Sequence, residues 1–375
     1  MNTFCHNPFI GLDINPEGQI RPCCKFLESE MPKFDIKQGI ETYKRSKWVK
    51  DLQDQFLDGE RPKGCERCWK EESAGIESKR QLDYVRHKKQ FDSVDLKNPN
   101  YINISLAFGN LCNLACRICS PNQSSRWASE RNKLENKNFP IWTWFKNKTV
   151  MDDIYTNTKN AVHFDIPGGE PLLLEIPEHF EFLSKFSNAQ AKEISLHYTT
   201  NGTNFPQDKF LKVWDRFKEI DLQISLDDIG ERFEYNRWPA DWNHVYSNVK
   251  RLQDLENKKT NIRLSVAFTV SVFTILYAKD FFDWCVKEGL PNPWMGRLNF
   301  PDYYSVDILP KKNIDQVRNI LKTSNFDSVK NLSNYLTGSK QDLIPFFQKK
   351  INDLDKTRNQ SFSRTFPELK ELLYE

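Results

Sequence analysis

Three cysteines lie close together in the spacing C-x3-C-x2-C: Cys112, Cys116 and Cys119. They directly follow residues 101–108, whose alternating apolar and polar side chains predict a strand. Thiolates repel one another and lose hydration on burial, so three of them on one loop need a cation or a cluster to hold them. Three protein ligands leave one iron of a four-iron cluster open to another ligand, whereas a closed structural zinc site uses four. The spacing therefore predicts an open metal or iron–sulfur centre after a strand.

A second set of cysteines lies nearer the N-terminus. Of the nine cysteines in the chain, only Cys285 lies beyond residue 120, in an apolar helical pattern where it reads as a small core residue. Five cysteines remain before residue 80, and four of them would supply a set of thiolates that could hold zinc or an iron–sulfur cluster. Its members are Cys5, one of Cys23 or Cys24, Cys65 and Cys68.

Alternating strand and helix patterns follow from residue 101 onward and would position the first set. The strands are predicted at 101–108, 161–166, 193–199, 221–226, 262–270 and 295–300, and the helices at 121–136, 172–187, 206–218, 241–256 and 277–289. Repeated βα units indicate an α/β fold with a parallel sheet and right-handed crossovers. Six strands predict an open, partial (β/α)6 TIM-like barrel, whose active site lies at the carboxyl ends of the strands.

The rest of the chain divides around this barrel. Residues 1–80 predict a small cysteine-rich α+β module with a hairpin formed by residues 9–14 and 19–22. Residues 81–100 are polar and predict a helix end and linker, 101–305 the barrel, and 306–375 a helical C-terminal extension without a motif.

Composition excludes some classes of protein. The net charge of +3 gives no case for nucleic-acid binding through bulk electrostatics. No apolar run has the length of about 18 to 20 residues that a membrane span needs, and the first residues lack a signal-peptide pattern. We therefore expect a cytoplasmic protein, in which cysteines serve as ligands more often than as disulfides.

The C-x3-C-x2-C loop after the first strand of an α/β chain resembles the radical S-adenosylmethionine (radical SAM) superfamily. The resemblance implies that the open iron of a 4Fe–4S cluster chelates S-adenosylmethionine through its amino and carboxylate groups. It also implies reductive cleavage to methionine and a 5′-deoxyadenosyl radical. The N-terminal cysteine segment resembles the SPASM/twitch module of such enzymes, which implies an auxiliary 4Fe–4S cluster. The whole sequence is similar to SPASM/twitch radical SAM proteins, including those found in bacteriophages.

A motif after the second predicted strand fits this resemblance. In Pro-Gly-Gly-Glu-Pro, Gly168 and Gly169 let the backbone approach a ligand closely, and the carboxylate of Glu170 can accept hydrogen bonds from an ammonium group. The motif matches the family's GGE, which implies that these three residues hold the amino group of S-adenosylmethionine. Asn201, in the Thr-Asn-Gly after the third strand, lines the cofactor side of the barrel by the same resemblance.

Two further residues are assigned near the fourth strand. Ser225 and Asp227 alternate onto one face of that strand. The stretch resembles the family's S-[IL]-D-G with Asp228 in place of the glycine, which implies that Ser225 contacts the ribose or carboxylate of the cofactor. Arg237 matches a family arginine that pairs with the methionine carboxylate, and its guanidinium fork suits that partner.

The predicted function is therefore that of a radical SAM enzyme that abstracts a hydrogen atom from its substrate. The resemblance implies a flavodoxin- or ferredoxin-like electron donor and a peptide or protein side chain as substrate. Two alternatives stay open: a radical SAM enzyme that acts on a sugar, a nucleoside or another small metabolite, and a non-enzymatic zinc or iron–sulfur protein.

Overall fold

The computed structural model describes residues 3–73, 77–96, 99–174 and 176–373. Its strands form one mixed sheet of eight, mostly parallel, in the order β2-β1-β3-β4-β5-β6-β7-β8. They are β1 (Gly11–Ile14), β2 (Ile20–Arg21), β3 (Asn103–Leu106), β4 (His163–Ile166), β5 (Ser195–Thr200), β6 (Glu219–Ser225), β7 (Ile262–Val270) and β8 (Trp294–Arg297). β1 is antiparallel to β2 but parallel to β3, and β3, β4 and β5 continue in parallel, as do β7 and β8.

The six strands predicted from the sequence are confirmed as β3 to β8, with ends shifted by a few residues. The predicted count of six is wrong for the sheet, because the N-terminal hairpin adds two strands. Gly11 pairs with Asn103 and Ile14 with Leu106, so β1 covers the edge of β3. Every residue of β1 is buried, and an exposed apolar edge here would invite pairing with another chain.

The α-helices of the described residues alternate with these strands. They are α1 (Asn7–Ile10), α2 (Ile40–Arg45), α3 (Lys47–Leu57), α4 (Glu66–Ser73), α5 (Lys79–Arg86), α6 (Lys88–Asp92), α7 (Ser125–Glu135), α8 (Lys148–Thr158), α9 (Pro177–Ser184), α10 (Asn188–Ala191), α11 (Asp208–Trp214), α12 (Gly230–Asn236), α13 (Trp242–Lys258), α14 (Ala278–Lys287), α15 (Lys311–Lys322), α16 (Asp327–Asn331), α17 (Ile344–Arg358) and α18 (Phe362–Thr365).

Local sequence signals account for where the helices begin. The carboxylate of Asp241 accepts from the backbone N–H of His244 and caps α13. Ser78 and Gln81 form a capping box at α5, in which each side chain accepts from the other residue's backbone N–H. α13 then buries an apolar face that includes Val245, Val249 and Leu252, and leaves the other face to solvent.

The segment 81–100, predicted to be a helix end and linker, is a packed part of the fold. It contains most of α5 and all of α6, and Phe91 is buried in a cluster with Phe9, Phe26 and Phe56. The polar composition suggested a linker, but Tyr84, Phe91, Val94 and Leu96 of this segment pack in one core cluster, while Leu82 and Val85 stay exposed. One buried aromatic residue and a capping box are enough to fix such short helices against a core.

Contacts divide the chain into two compact units, whose boundaries differ from the domain boundaries predicted from the sequence. The first unit comprises residues 1–111, 140–199 and 206–221, and the second comprises 112–139, 200–205 and 222–375. In the second unit, the C-terminal segment buries an aromatic cluster that includes Phe273, Tyr304, Phe347 and Phe362.

The sheet of the first unit has one apolar face and one polar face. Ile104, Phe164 and Leu196 are adjacent on β3, β4 and β5 and are fully buried. On the other face Ser105, Asp165 and His197 are adjacent and only half-buried. Parallel sheets are usually covered by apolar layers on both faces, whereas the second face of this sheet carries a row of polar side chains.

Candidate cysteine centres and cofactor residues

The loop that carries Cys112, Cys116 and Cys119 lies in the second unit, and all three thiols are half-buried. Side chains of α7 and its cap hold the loop backbone in place. The indole Nε1 of Trp127 donates to the carbonyl oxygen of Cys116 at 2.6 Å, and the hydroxyl of Ser125 accepts from the N–H of Cys112 at 3.1 Å. The loop is thus shaped by directional hydrogen bonds together with the burial of Leu114, Ala115 and Arg117.

Two of the three sulfurs receive hydrogen-bond donors. The backbone N–H of Leu114 lies 3.5 Å from the Cys112 Sγ, and the amide nitrogen of Asn201 lies 3.9 Å from it. The guanidinium of Arg237 lies 3.9 Å from the Cys116 Sγ. Burial raises the pKa of the Cys116 thiol, which the positive charge of Arg237 opposes. N–H donors and a cation directed at sulfur stabilise thiolate ligands of a cluster.

A carboxylate that the sequence did not single out as a site residue holds Arg237. The Arg237 Nη2 donates to the Asp227 Oδ2 at 2.5 Å, and the Thr269 N–H donates to the Asp227 Oδ1 at 2.7 Å. Asp227 has a φ of +65°, uncommon for a residue other than glycine. Arg237 is 7% exposed, and its Nε has no partner in the part of the chain that the structure describes. One N–H of a fixed guanidinium is therefore left for another acceptor.

The other two predicted residues of this unit lie in the same region of the fold. Asn201 donates to the Asn113 Oδ1 at 2.9 Å, so it contacts the cysteine loop at two places. Ser225 ends β6, two residues before Asp227, and is half-buried. The second unit thus brings Asn201 and Arg237 to the cysteine loop, while Ser225 makes no side-chain hydrogen bond with described residues.

The C-terminal helix α17 also supports the cysteine loop. Arg117, beside Cys116, is fully buried and donates to Asp355 of α17 at 2.5 Å and to Gln360 at 2.9 Å. Its guanidinium lies 3.7 Å from the ring centre of Tyr235. Sequence reasoning found no motif in this extension, since no local pattern links Arg117 to a partner more than 230 residues away.

The Gly168–Glu170 segment lies in the first unit, after β4. Gly168 and Gly169 have φ values of +84° and +55°. A Cβ on Gly169 would lie 2.2 Å from the carbonyl oxygen of Leu111, and one on Gly168 would lie 2.7 Å from the Cβ of Ala107. Both positions therefore require glycine for conformation and for space. Glu170 is fully buried, and its carboxylate accepts from the Leu172 N–H at 3.0 Å.

The N-terminal cysteines also lie in the first unit and line one cavity. Its lining residues are Cys5, Asn7, Cys23, Lys25, Phe26, Cys65, Cys68, Lys79 and Arg80. Burial raises the pKa of the Cys5, Cys23 and Cys65 thiols, and neighbouring thiols raise each of them further. Gly64 keeps the chain close to the core here, because a Cβ on it would lie 2.0 Å from the Phe26 ring. Four thiols and three cations around one cavity match the charge of a tetrathiolate site.

The two candidates for the fourth thiol have different surroundings. Cys23 lines the cavity, whereas Cys24 does not. Burial raises the pKa of the Cys24 thiol to about 11, and its charged neighbours are Lys79 and carboxylates, among them Asp13 and Asp165. The two residues begin a turn, in which the Phe26 N–H donates to the carbonyl oxygen of Cys23 at 3.2 Å, and of the two only Cys23 faces the cavity.

Two features are absent from the part of the chain that the structure describes. No group of three histidine, cysteine, aspartate or glutamate side chains in the described ranges is placed to share a single metal ion. No described helix combines the length and the apolar composition that crossing a membrane requires.

Comparisons with known proteins give partial structural likenesses. No family model and no curated protein matches the sequence. The solved structures that resemble the chain include anSMEcpe, an anaerobic sulfatase maturating enzyme, with bound AdoMet, at 20% identity and a TM-score of 0.41 over 58% of this chain. SuiB from Streptococcus suis, bound to S-adenosylmethionine, matches at 13% identity and a TM-score of 0.39 over 79% of this chain. The chain spans 60% of the anSMEcpe chain and 64% of the SuiB chain.

Proposed function

We propose that the protein is a radical SAM enzyme that modifies a peptide or protein side chain. The observation that carries this proposal is the loop of Cys112, Cys116 and Cys119. Three half-buried thiols lie on one loop, and N–H donors from Leu114 and Asn201 point at one of the sulfurs. A cation lies beside another sulfur. A closed zinc site needs a fourth protein ligand, whereas a four-iron cluster with an open iron needs only three.

The residues of this loop fit such a cluster, with Cys112, Cys116 and Cys119 as its ligands. When bound and reduced, the cluster would supply the electron that cleaves S-adenosylmethionine and so starts hydrogen-atom abstraction from the substrate. The chain's own residues tune and shield it. Arg237 places a positive charge beside Cys116, and Trp127 fixes the carbonyl between the second and third ligands.

The cofactor residues fit an amino acid moiety. The free Nε of Arg237 offers an N–H to a carboxylate, while Asp227 keeps the guanidinium from turning away. In the first unit, the positive φ values of Gly168 and Gly169 shape the turn that leads to Glu170, whose carboxylate would accept from an ammonium group. Ser225 would contact the ribose or the carboxylate of the cofactor, and Asn201 would line the cofactor side of the barrel.

The N-terminal cavity would hold an auxiliary 4Fe–4S cluster on Cys5, Cys23, Cys65 and Cys68. Its cations offset the negative charge that four thiolates bring to a partly buried site. These four cysteines would hold a group that can take up the electron left on an oxidised substrate or ligate the substrate, while a donor of the flavodoxin or ferredoxin type would reduce the cluster on Cys112, Cys116 and Cys119. The fit of Cys23 to the cavity supports its choice over Cys24.

Anaerobic reconstitution with iron and sulfide tests the proposal. We expect about eight irons per chain for two four-iron clusters, and release of 5′-deoxyadenosine when a reductant and S-adenosylmethionine are added. Cys112→Ala should abolish this release, while Cys285→Ala, which removes a buried thiol from α14, should retain it. Cys23→Ser should lower the iron content to about four, and Cys24→Ser should leave it unchanged. Zinc binding without cofactor cleavage would overturn the proposal.

A further inference from the structure

The first unit contains a polar cavity of about 280 Å³ that the proposed cluster and cofactor residues do not use. It lies at the amino-terminal ends of β4, β5 and β6, where His163, Ser195, His197 and Asp221 line it. The α5–α6 junction closes it from another side with His87. Three of the six histidines of the chain, His87, His163 and His197, therefore line this one cavity.

His87 is a buried group with an unsatisfied nitrogen. It is 6% exposed, and its Nε2 has no hydrogen-bond partner among the described residues. Its ring centre lies 5.2 Å from that of His163. Burial lowers the pKa of His87 to about 4 and holds the pKa of His163 well below its usual value. Both rings are therefore neutral near pH 7, and each has one nitrogen that accepts a hydrogen bond.

The third imidazole is tied to a carboxylate. The His197 Nδ1 lies 2.7 Å from the Asp221 Oδ2. In the register of the sheet, His197 is adjacent to Asp165, whose pKa burial raises. Asp165 makes no side-chain hydrogen bond with described residues, although Lys79 and His197 lie within electrostatic reach. The inner wall is therefore rich in hydrogen-bond acceptors and includes the carboxylate of Asp221.

The rim of the cavity has mixed charge and is open to solvent. Glu193 and Glu219 face it together with Arg86 and Lys218, and all four side chains are exposed. None of the four forms an ion pair in the part of the chain that the structure describes. Long basic side chains on a rim can turn their charge into water, so the fixed inner groups decide what binds.

We propose that this cavity binds a primary ammonium or guanidinium group, as the cationic end of a lysine or arginine side chain in the substrate. Such a group donates several hydrogen bonds, which suits neutral imidazoles and carboxylates. On the inner wall, a carboxylate or phosphate group would instead meet hydrogen-bond acceptors and the carboxylate of Asp221. This inference rests on the proposed function in one respect, which is that the bound cation belongs to the substrate of the reaction. Binding of the cation does not itself require the reaction.

The test measures binding to the reconstituted protein by calorimetry. The probes are a capped five-residue peptide with a central lysine and the same peptide with Nε-acetyl-lysine. We expect the lysine peptide to bind at least about tenfold more tightly, because acetylation removes the charge and two donors. Equal affinity for the two peptides would overturn the inference.

Substitutions test whether the lysine peptide binds in this cavity. His87→Phe, which removes a buried acceptor from the inner wall, should weaken lysine-peptide binding several-fold, and the double substitution Glu193→Gln and Glu219→Gln on the exposed rim should weaken it less. Glu181→Gln, on an exposed residue of α9, is the matched control and should bind normally. Loss of the same size in the control, or unchanged binding in both cavity variants, would contradict the assignment.

The outcome is separable from that of the proposed function. Release of 5′-deoxyadenosine without any peptide reports on the cysteine loop alone. If release fails while charge-dependent binding persists, the proposed reaction is wrong and the cavity assignment stands. If release occurs and both peptides bind equally, the reaction stands and the cavity assignment is wrong.

Discussion

Replacing Arg117 by methionine should destabilise the second unit markedly. Arg117 has no exposed side-chain surface, and its partner Asp355 is 15% exposed. The substitution keeps most of the apolar volume but removes the charge that donates to Asp355, to Gln360 and to the Tyr235 carbonyl. The remaining carboxylate would be mostly buried without its cation.

The size of the loss follows from the remaining contacts of Asp355. Breaking a buried ion pair by removing one partner costs about 3 to 5 kcal/mol. Asp355 would keep two donors, the Tyr235 hydroxyl at 2.8 Å and the Phe362 N–H at 2.6 Å. These contacts place the expected loss near the lower bound, at about 3 kcal/mol. The double variant with Asp355→Asn should lose less than the sum of the two single variants.

Urea unfolding followed by tryptophan fluorescence would measure this loss, with iron content after reconstitution as a second readout. Arg364→Met is the matched control, because the ion pair of Arg364 with Glu231 is largely exposed, at 71% and 59%. It should cost about 0.5 kcal/mol or less. If Arg117→Met costs no more than this control, the reasoning about α17 and the cysteine loop is refuted.

Two other substitutions test single positions. Gly169→Ala should lose S-adenosylmethionine binding in equilibrium dialysis, because its Cβ would meet a carbonyl oxygen at 2.2 Å. Gly230 has a similar φ of +56°, but a Cβ there would meet open space, so Gly230→Ala should cost only about 1 kcal/mol of stability and keep S-adenosylmethionine binding. Equal loss of binding in the two variants would contradict the steric argument. Burial raises the pKa of Asp228 from 3.8 to about 6, so the folded state binds the proton more tightly than the unfolded state. The free energy of unfolding should therefore rise by up to about 3 kcal/mol as the pH falls from about 6 to about 4. Urea titrations of Asp228→Asn should lack this rise, and an unchanged pH profile would rule the explanation out.

Much of the fold was predictable because its signals are local. Residues 262–270 alternate apolar and polar side chains and form β7 with those bounds. The cysteine spacing and the two adjacent glycines were equally visible, since each is a short run of unusual residue types. The hairpin at residues 9–14 and 19–22 was also predicted, but no local signal showed that β1 pairs with β3 about 90 residues later.

The sequence by itself determined which residues could do chemistry: two groups of thiols, a glycine pair before a carboxylate, and an arginine after a strand. Only the tertiary structure decided their neighbours. It placed Cys23 rather than Cys24 at the N-terminal cavity, gave Arg237 a buried carboxylate partner, and set His87 beside His163. Side-chain type and spacing are encoded locally, whereas burial and partnership depend on contacts between segments far apart in the chain, which no local pattern records.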